Sequence, residues 1–116
     1  MYSEIVPHTI TAAQVAAKNP VGIVLSGGPS SVYEAGSPTL DPGILGLGVP
    51  VLGICYGFQV MAQQLGGEVA NTGLREYGAT DVHLAPGAST LLGDQPAEQT
   101  TWMSHGDSVS KAPSGF

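Results

Sequence analysis

The most constraining feature of the sequence is the stretch over residues 51–67, VLGICYGFQVMAQQLGG, which contains the only cysteine of the chain. The apolar run before Cys55 is typical of a buried strand, and the run after it has the spacing of a helix. Gly53 and Gly57 lie two residues away on each side. Small neighbours of this kind let a strained strand-to-helix turn pack while the central side chain projects clear of the sheet. The sequence therefore predicts a nucleophile elbow with sulfur in place of oxygen.

The predicted position of Cys55 also bears on its reactivity. A helix that begins just after Cys55 would direct free N–H groups and the positive end of its dipole at the sulfur, which favours the thiolate. The alternative is a small buried hydrophobic residue, because free cysteine is among the most buried residue types. The glycine spacing at a strand–helix junction favours the catalytic interpretation.

The other predicted elements alternate between strands and helices. We expect a strand over residues 3–6, a helix over 12–18 capped by Thr11, a strand over 21–26, a short helix after Asp41, and a strand over 49–54. The helix after Cys55 is predicted to bury one apolar face made of Phe58, Met61, Ala62 and Leu65. Beyond residue 67 we expect short strands and a turn of helix near Leu91 and Leu92.

This order of elements predicts the fold class. Continuous apolar strands that alternate with helices are typical of a parallel sheet covered on both faces. We therefore expect an α/β fold with three layers, in which a mostly parallel central sheet has helices on both faces.

Length and composition exclude several classes of protein. A chain of 116 residues is about one domain. Nine acidic residues against three basic ones give a formal charge of −6, which argues against binding to nucleic acid or to an anionic membrane. No apolar run approaches the roughly 18 residues of a membrane helix. One unpaired cysteine fits a reducing compartment, so we expect a cytoplasmic protein with no nucleic-acid or membrane partner.

Acyl transfer to sulfur needs hydrogen-bond donors for the oxyanion that forms as the thiolate attacks a carbonyl. The N–H of Tyr56, directly after the cysteine, is one candidate. The second is Gly28, because the Gly-Gly-Pro run follows the other apolar strand and should reach the same carboxyl edge of the sheet. Taken alone, this run would be interpreted as an ordinary flexible turn.

Four blocks in this order, LSGGPSSVYE, GVPVLGICYGFQVMAQQLGG, REYG and WMSHGDSV, resemble the class I, triad-type glutamine amidotransferase domains of the GMP synthase family over essentially the whole chain. The resemblance implies a flavodoxin-like fold and hydrolysis of glutamine to glutamate and ammonia. The ammonia would pass to an ATP pyrophosphatase domain, fused or separate, that aminates xanthosine monophosphate. No cofactor is implied in the glutaminase domain itself, since ATP and Mg²⁺ belong to the synthetase domain. The implied site residues are the nucleophile Cys55, the oxyanion-hole amides of Gly28 and Tyr56, and the substrate-binding residues Gln59, Ser104 and His105.

Spacing also supports Gln59, which lies four residues after the cysteine and so over the same face of the first helical turn. The alternative for this residue is a solvated glutamine on the helix surface.

The sequence departs from the family in its histidines. The family triad is completed by a His-x-Glu pair, and none of His8, His83 and His105 has that neighbour. The nearest pattern is His105-Gly106-Asp107, but it matches a different family segment, so we do not assign His105 as the general base. We expect residues 1–116 to form a partial domain, cut at both ends and without the synthetase domain. Such a chain should hydrolyse glutamine poorly, and should be marginally stable or self-associate.

Two other functions remain alternatives at this point. One is a non-catalytic pseudo-glutaminase that senses glutamine or binds a partner. The other is a triad glutaminase of anthranilate or carbamoyl-phosphate synthesis, which the SSVYE and MSHGDSV blocks disfavour.

Overall fold

A computed structural model describes residues 2–71, 73, 76–85 and 92–116 of the chain. Helices and strands alternate through the first half, and strands make up the second half. In chain order the elements are helix α1 (Ala12–Ala17), strand β1 (Ile23–Leu25), a 3₁₀ helix (Pro42–Gly46), strand β2 (Val51–Gly53), helix α2 (Tyr56–Gln64), and strands β3 (Glu68–Ala70), β4 (Glu76–His83), β5 (Glu98–His105) and β6 (Ser108–Lys111). The predicted α/β class is confirmed.

Side-chain caps explain where the first two helices begin. The Thr11 hydroxyl accepts from the Gln14 N–H, and the Gln14 side chain accepts from the Thr11 N–H, which completes a capping box. The carboxylate of Asp41 accepts from Gly43 N–H at 2.9 Å and from Ala12 N–H at 2.8 Å. These two backbone donors, that of Ala12 foremost, hold the pKa of Asp41 below its ordinary value. Asp41 therefore caps the 3₁₀ helix and joins it to the start of α1.

The strands form three pairs of mixed direction in the described part of the chain. β1 and β2 are parallel, with Ile23 opposite Val51 and Leu25 opposite Gly53. β3 pairs with β6 and β4 pairs with β5, both antiparallel. The parallel register brings the carboxyl ends of β1 and β2 side by side, so the segments that follow them must be neighbours.

The predicted strand at residues 3–6 is wrong. These residues are exposed coil, and Ile5 is 101% exposed. Glu4 instead forms an ion pair with Lys18 at 2.7 Å, beyond the end of α1. Within the described ranges this segment pairs with no strand, so its backbone lacks the hydrogen-bond partners that an extended segment needs.

The predicted apolar face of the helix after Cys55 is only partly correct. Ala62 is buried, but Phe58 and Leu65 are 44% and 40% exposed. The residues that α2 buries are Tyr56, Gly57, Gln59, Val60 and Ala62. The rotation of α2 is set by the close approach of its first turn to β1, and not by the spacing of its apolar residues. Of the predicted helical turn further on, Leu91 lies outside the described residues and Leu92 lies in a turn.

In the part of the chain that the structure describes, the buried apolar side chains come from α1, the 3₁₀ helix and α2, and they are Val15, Ile44, Tyr56, Val60 and Ala62. Across the described residues, no helix is both long and apolar enough to cross a bilayer.

Candidate active site

Cys55 connects β2 to α2 through a sharp turn. Its φ of 52° and ψ of −113° place it in a region that residues other than glycine rarely adopt. Such strain costs about 1–3 kcal/mol and persists only where the surrounding structure imposes it. The thiol is free and the residue is exposed. The predicted elbow geometry is thus confirmed, and the alternative of a buried hydrophobic cysteine is wrong.

The two glycines that flank the turn are required by close backbone contacts. A Cβ on Gly53 would lie 2.5 Å from the Cα of Phe58, and one on Gly57 would overlap the carbonyl group of Leu25. Hydrogen bonds also hold the end of β1 against the turn and α2. The Ile54 N–H donates to the Leu25 carbonyl at 2.9 Å, and the Gly57 N–H donates to the Ser26 carbonyl at 3.1 Å. Any side chain at either glycine would therefore separate α2 from β1 and β2.

The loop after β1 lies against the elbow, as the parallel register requires. A Cβ on Gly27 would lie 3.3 Å from the Cβ and 3.9 Å from the Sγ of Cys55. A Cβ on Gly28 would contact the Tyr56 ring at 3.6–3.8 Å. Among the described residues, neither the Gly28 N–H nor the Tyr56 N–H has a protein acceptor. Both backbone donors thus lack a partner in this part of the chain.

Hydrogen bonds to α2 hold the far end of this loop. The Tyr56 hydroxyl donates to the Pro38 carbonyl at 2.6 Å, and the Gln64 amide donates to the Leu40 carbonyl at 2.7 Å. Within the loop, the Ser37 hydroxyl donates to the Ser31 carbonyl at 2.7 Å. The glycine-rich run therefore belongs to a loop fixed on the same helix that the elbow begins.

Gln59 lies in the interior beside the elbow. It is 6% exposed, and its side-chain amide donates to the main-chain oxygen of Asp107 at 3.0 Å. The alternative of a solvated surface glutamine is wrong. The His105 ring contacts the same oxygen through Nδ1 at 3.0 Å, and its Nε2 lies 3.0 Å from the Glu76 carboxylate. Gln59 and His105 are thus brought together at one backbone carbonyl.

The carboxylate of Asp107 does not face His105. It accepts from the Ser31 hydroxyl at 2.5 Å and from the Tyr33 hydroxyl at 2.8 Å. His105 and Asp107 therefore form no side-chain pair, and the carboxylate that the His105 ring contacts is that of Glu76. The sequence offered no signal for the Ser31, Tyr33 and Glu76 contacts, because their partners are distant along the chain.

The structure separates Ser104 from the other predicted residues. Ser104 lies opposite Tyr77 in the β4–β5 pair, on its exposed face. Side chains of successive strand residues point to opposite faces, so the Ser104 side chain points away from that of His105. The predicted residues therefore form two groups, Gly28 with Cys55 and Tyr56, and Gln59 with His105. Among the described residues, no cluster of three or more His, Cys, Asp or Glu side chains could hold a metal ion.

The comparisons with known proteins are consistent with one another. The family model described as glutamine amidotransferase class-I matches residues 1–116. The chain is 70% identical over 120 residues to a GMP synthase [glutamine-hydrolyzing] of Leifsonia xyli subsp. xyli, and 60% identical over 116 residues to one of Streptomyces coelicolor. Each alignment covers 100% of this chain but only 24% and 22% of the respective relative.

A solved structure shares the fold. It is the crystal structure of a protein from Thermoplasma acidophilum that is provisionally assigned as one of the subunits of a GMP synthase, and it superposes with a TM-score of 0.77 at 30% identity. The match covers 96% of this chain and 55% of that one.

Proposed function

The chain belongs to the class-I glutamine amidotransferase family, and on this premise we propose that it hydrolyses the side-chain amide of glutamine with Cys55 as the nucleophile. The observation that supports this most directly is the exposed sulfur at a strained turn, with the Gly27–Gly28 loop packed against it. Strained backbone is found preferentially at active sites.

In the proposed reaction, the Cys55 thiolate attacks the amide carbon of glutamine and a C–S bond forms. The carbonyl oxygen becomes an oxyanion that accepts from the N–H groups of Gly28 and Tyr56. When the C–N bond breaks, the amide nitrogen takes up one proton from water and leaves as ammonia, and a thioester remains. Water then attacks the thioester, glutamate is released, and the thiol is restored. We propose Gln59 and His105 as residues that bind the substrate, and Ser104 as one that would do so through its main chain, because its side chain points to the opposite face of the strand.

We assign no general base among the described histidines. Both ring nitrogens of His105 are occupied, by the Asp107 carbonyl and by the Glu76 carboxylate. His83 is exposed on β4 and lies 3.7 Å from Glu98, and His8 is exposed. Because loss of a triad member commonly costs several powers of ten in rate, we expect the 116-residue chain alone to release ammonia close to the background rate.

The names of the relatives suggest where the ammonia goes. Proteins called GMP synthase [glutamine-hydrolyzing] match this chain across its length. We propose that the ammonia aminates xanthosine monophosphate in an ATP-dependent synthetase domain, fused or separate, where ATP and Mg²⁺ would bind. The exposed free thiol suits a reducing compartment, so the cytoplasm is the location we propose.

Alkylation of the thiol tests the proposal without requiring turnover. A glutamine-mimicking diazo-ketone should label the wild-type chain at Cys55, with loss of dinitrogen, and free glutamine should slow the labelling. Cys55→Ser should remove the label without lowering the free energy of unfolding, because the side chain is exposed. Mass spectrometry of the digested protein locates the adduct. Labelling that glutamine does not slow, or that occurs elsewhere in the chain, would refute the proposal.

A further inference from the structure

We propose that Asp107 is a positioning residue for this amide-hydrolysis site, an inference that rests on the proposed function. Its carboxylate holds the loop that contains Gly28, and its main-chain oxygen holds Gln59. Asp107 itself need not touch glutamine. It lies at the corner where the chain leaves β5 and enters β6. There it contacts Gln59 and His105, and it also contacts the loop that contains Gly28.

The carboxylate of Asp107 is buried without a cationic partner. Asp107 is 8% exposed, and none of the ion pairs in the described part of the chain includes it. A buried charge is costly unless hydrogen bonds compensate it. Here the compensation comes from two hydroxyl donors, Ser31 and Tyr33. The buried carboxylate is therefore specifically matched to this loop.

The two donors to the Asp107 carboxylate lie close to Gly28 in the loop. They lie three and five residues after Gly28. The loop is otherwise hydrogen-bonded to α2 at Ser26, before Gly28, and at Pro38 and Leu40, further along the chain. The Asp107 carboxylate is thus the attachment that restrains the segment directly after Gly28, while the bond at Ser26 restrains the segment before it. Without the Asp107 carboxylate, the Gly28 N–H would be held from one side only, and its position relative to the sulfur would be less well fixed.

The main chain of Asp107 contacts the second group of predicted site residues, Gln59 and His105. Its carbonyl oxygen accepts from the Gln59 amide at 3.0 Å and contacts His105 Nδ1 at 3.0 Å. A carbonyl oxygen has two lone pairs, so both contacts can form together. A backbone shift at Asp107 would therefore move Gln59 and the glycine loop relative to each other. One residue thus sets the spacing between the oxyanion donors and the proposed substrate-binding glutamine.

The test compares two alkylating agents at Cys55. Iodoacetamide needs only an accessible thiol, whereas the diazo-ketone also needs the glutamine pocket, so the ratio of the two second-order rate constants reports on the pocket. Asp107→Ala should lower this ratio by about tenfold or more, since two charge-assisted hydrogen bonds are lost. Asp107→Asn should restore part of it, because its amide oxygen still accepts from one hydroxyl.

Two further variants isolate the loop contact. The double variant Ser31→Ala with Tyr33→Phe leaves the Asp107 backbone in place and should lower the ratio as Asp107→Ala does. The matched control is Asp81→Ala, which removes another aspartate that accepts from a hydroxyl, that of Thr100 at 2.8 Å on the exposed face of β4 and β5. This control should leave the ratio unchanged.

The outcomes separate the inference from the function on which it rests. If glutamine does not protect the wild-type thiol, the proposed function and the inference both fail. The inference alone is overturned if glutamine protects the wild type but the ratio of rate constants in Asp107→Ala and in the double variant stays within about twofold of the wild-type ratio. An equal change with both reagents would mean a purely structural role and would also overturn it. If Asp107→Ala does not fold, the double variant decides.

Discussion

Gly57→Ala should disrupt the elbow by separating α2 from β1. The added Cβ would lie 2.5 Å from the carbonyl carbon and 2.6 Å from the Cβ of Leu25, and it would overlap the carbonyl oxygen. Backbone atoms cannot rotate away from such a contact as the end of a flexible side chain can. The helix must therefore move, because alanine at position 57 cannot be accommodated where α2 now lies.

The magnitude follows from the bonds that this movement breaks. The Leu25 carbonyl accepts from Ile54 N–H at 2.9 Å, and Gly57 N–H donates to the Ser26 carbonyl at 3.1 Å. Two hydrogen bonds at about 1 kcal/mol each, and overpacking at about 1–3 kcal/mol, outweigh the gain of about 1 kcal/mol in helix propensity from glycine to alanine. The net loss in the free energy of unfolding should be about 2–4 kcal/mol, a large part of a typical domain's 5–15 kcal/mol.

Urea unfolding followed by far-ultraviolet circular dichroism measures this loss. Gly46→Ala is the matched control, because nothing lies within 4 Å of a Cβ built there. It should be neutral or slightly stabilising. In the same samples, the diazo-ketone should label Cys55 of Gly57→Ala far more slowly than that of the control. A Gly57→Ala chain within about 0.5 kcal/mol of the control would refute the reasoning.

Asp41→Asn should be less stable than the wild type at neutral pH, and the difference should shrink as the pH falls. Backbone N–H groups of Ala12 and Gly43 lower the pKa of Asp41, so its contribution is complete above the ordinary value of 3.8 and is lost as the pH falls through the lower folded-state value. Urea midpoints at a series of pH values measure this, and a difference that is constant down to the lowest pH would contradict it. Tyr56→Phe should cost about 1 kcal/mol, because its 2.6 Å hydrogen bond to a loop carbonyl is lost. It should still be labelled by the diazo-ketone, since the main-chain N–H is unchanged, and complete loss of labelling would count against a main-chain role.

The elbow was predictable because its requirements are local. Gly53, Cys55 and Gly57 occupy fixed positions in a turn of a few residues, and only small neighbours permit that turn. The caps at Thr11 and Asp41 were predictable for the same reason, since each side chain bonds to a backbone group two or three residues away. The β-branched apolar runs likewise predicted β1 and β2.

The face of α2 was not predictable from periodicity. Phe58 and Leu65 have the spacing of a buried face but are exposed, while the polar Gln59 is buried. The contact between Gly57 and Leu25 sets the rotation of the helix, and that contact depends on how β1 and β2 pair.

The sequence by itself determined the sharp turn at Cys55, the glycines beside it and the family that these motifs indicate. Only the tertiary structure decided that the carboxylate of Asp107 faces Ser31 and Tyr33, and that Ser104 and His105 point to opposite faces. The physical reason is the range of the interactions. A strained turn or a cap depends on residues a few positions apart, whereas a hydrogen bond between residues more than 70 positions apart exists only once the strands and loops between them have packed.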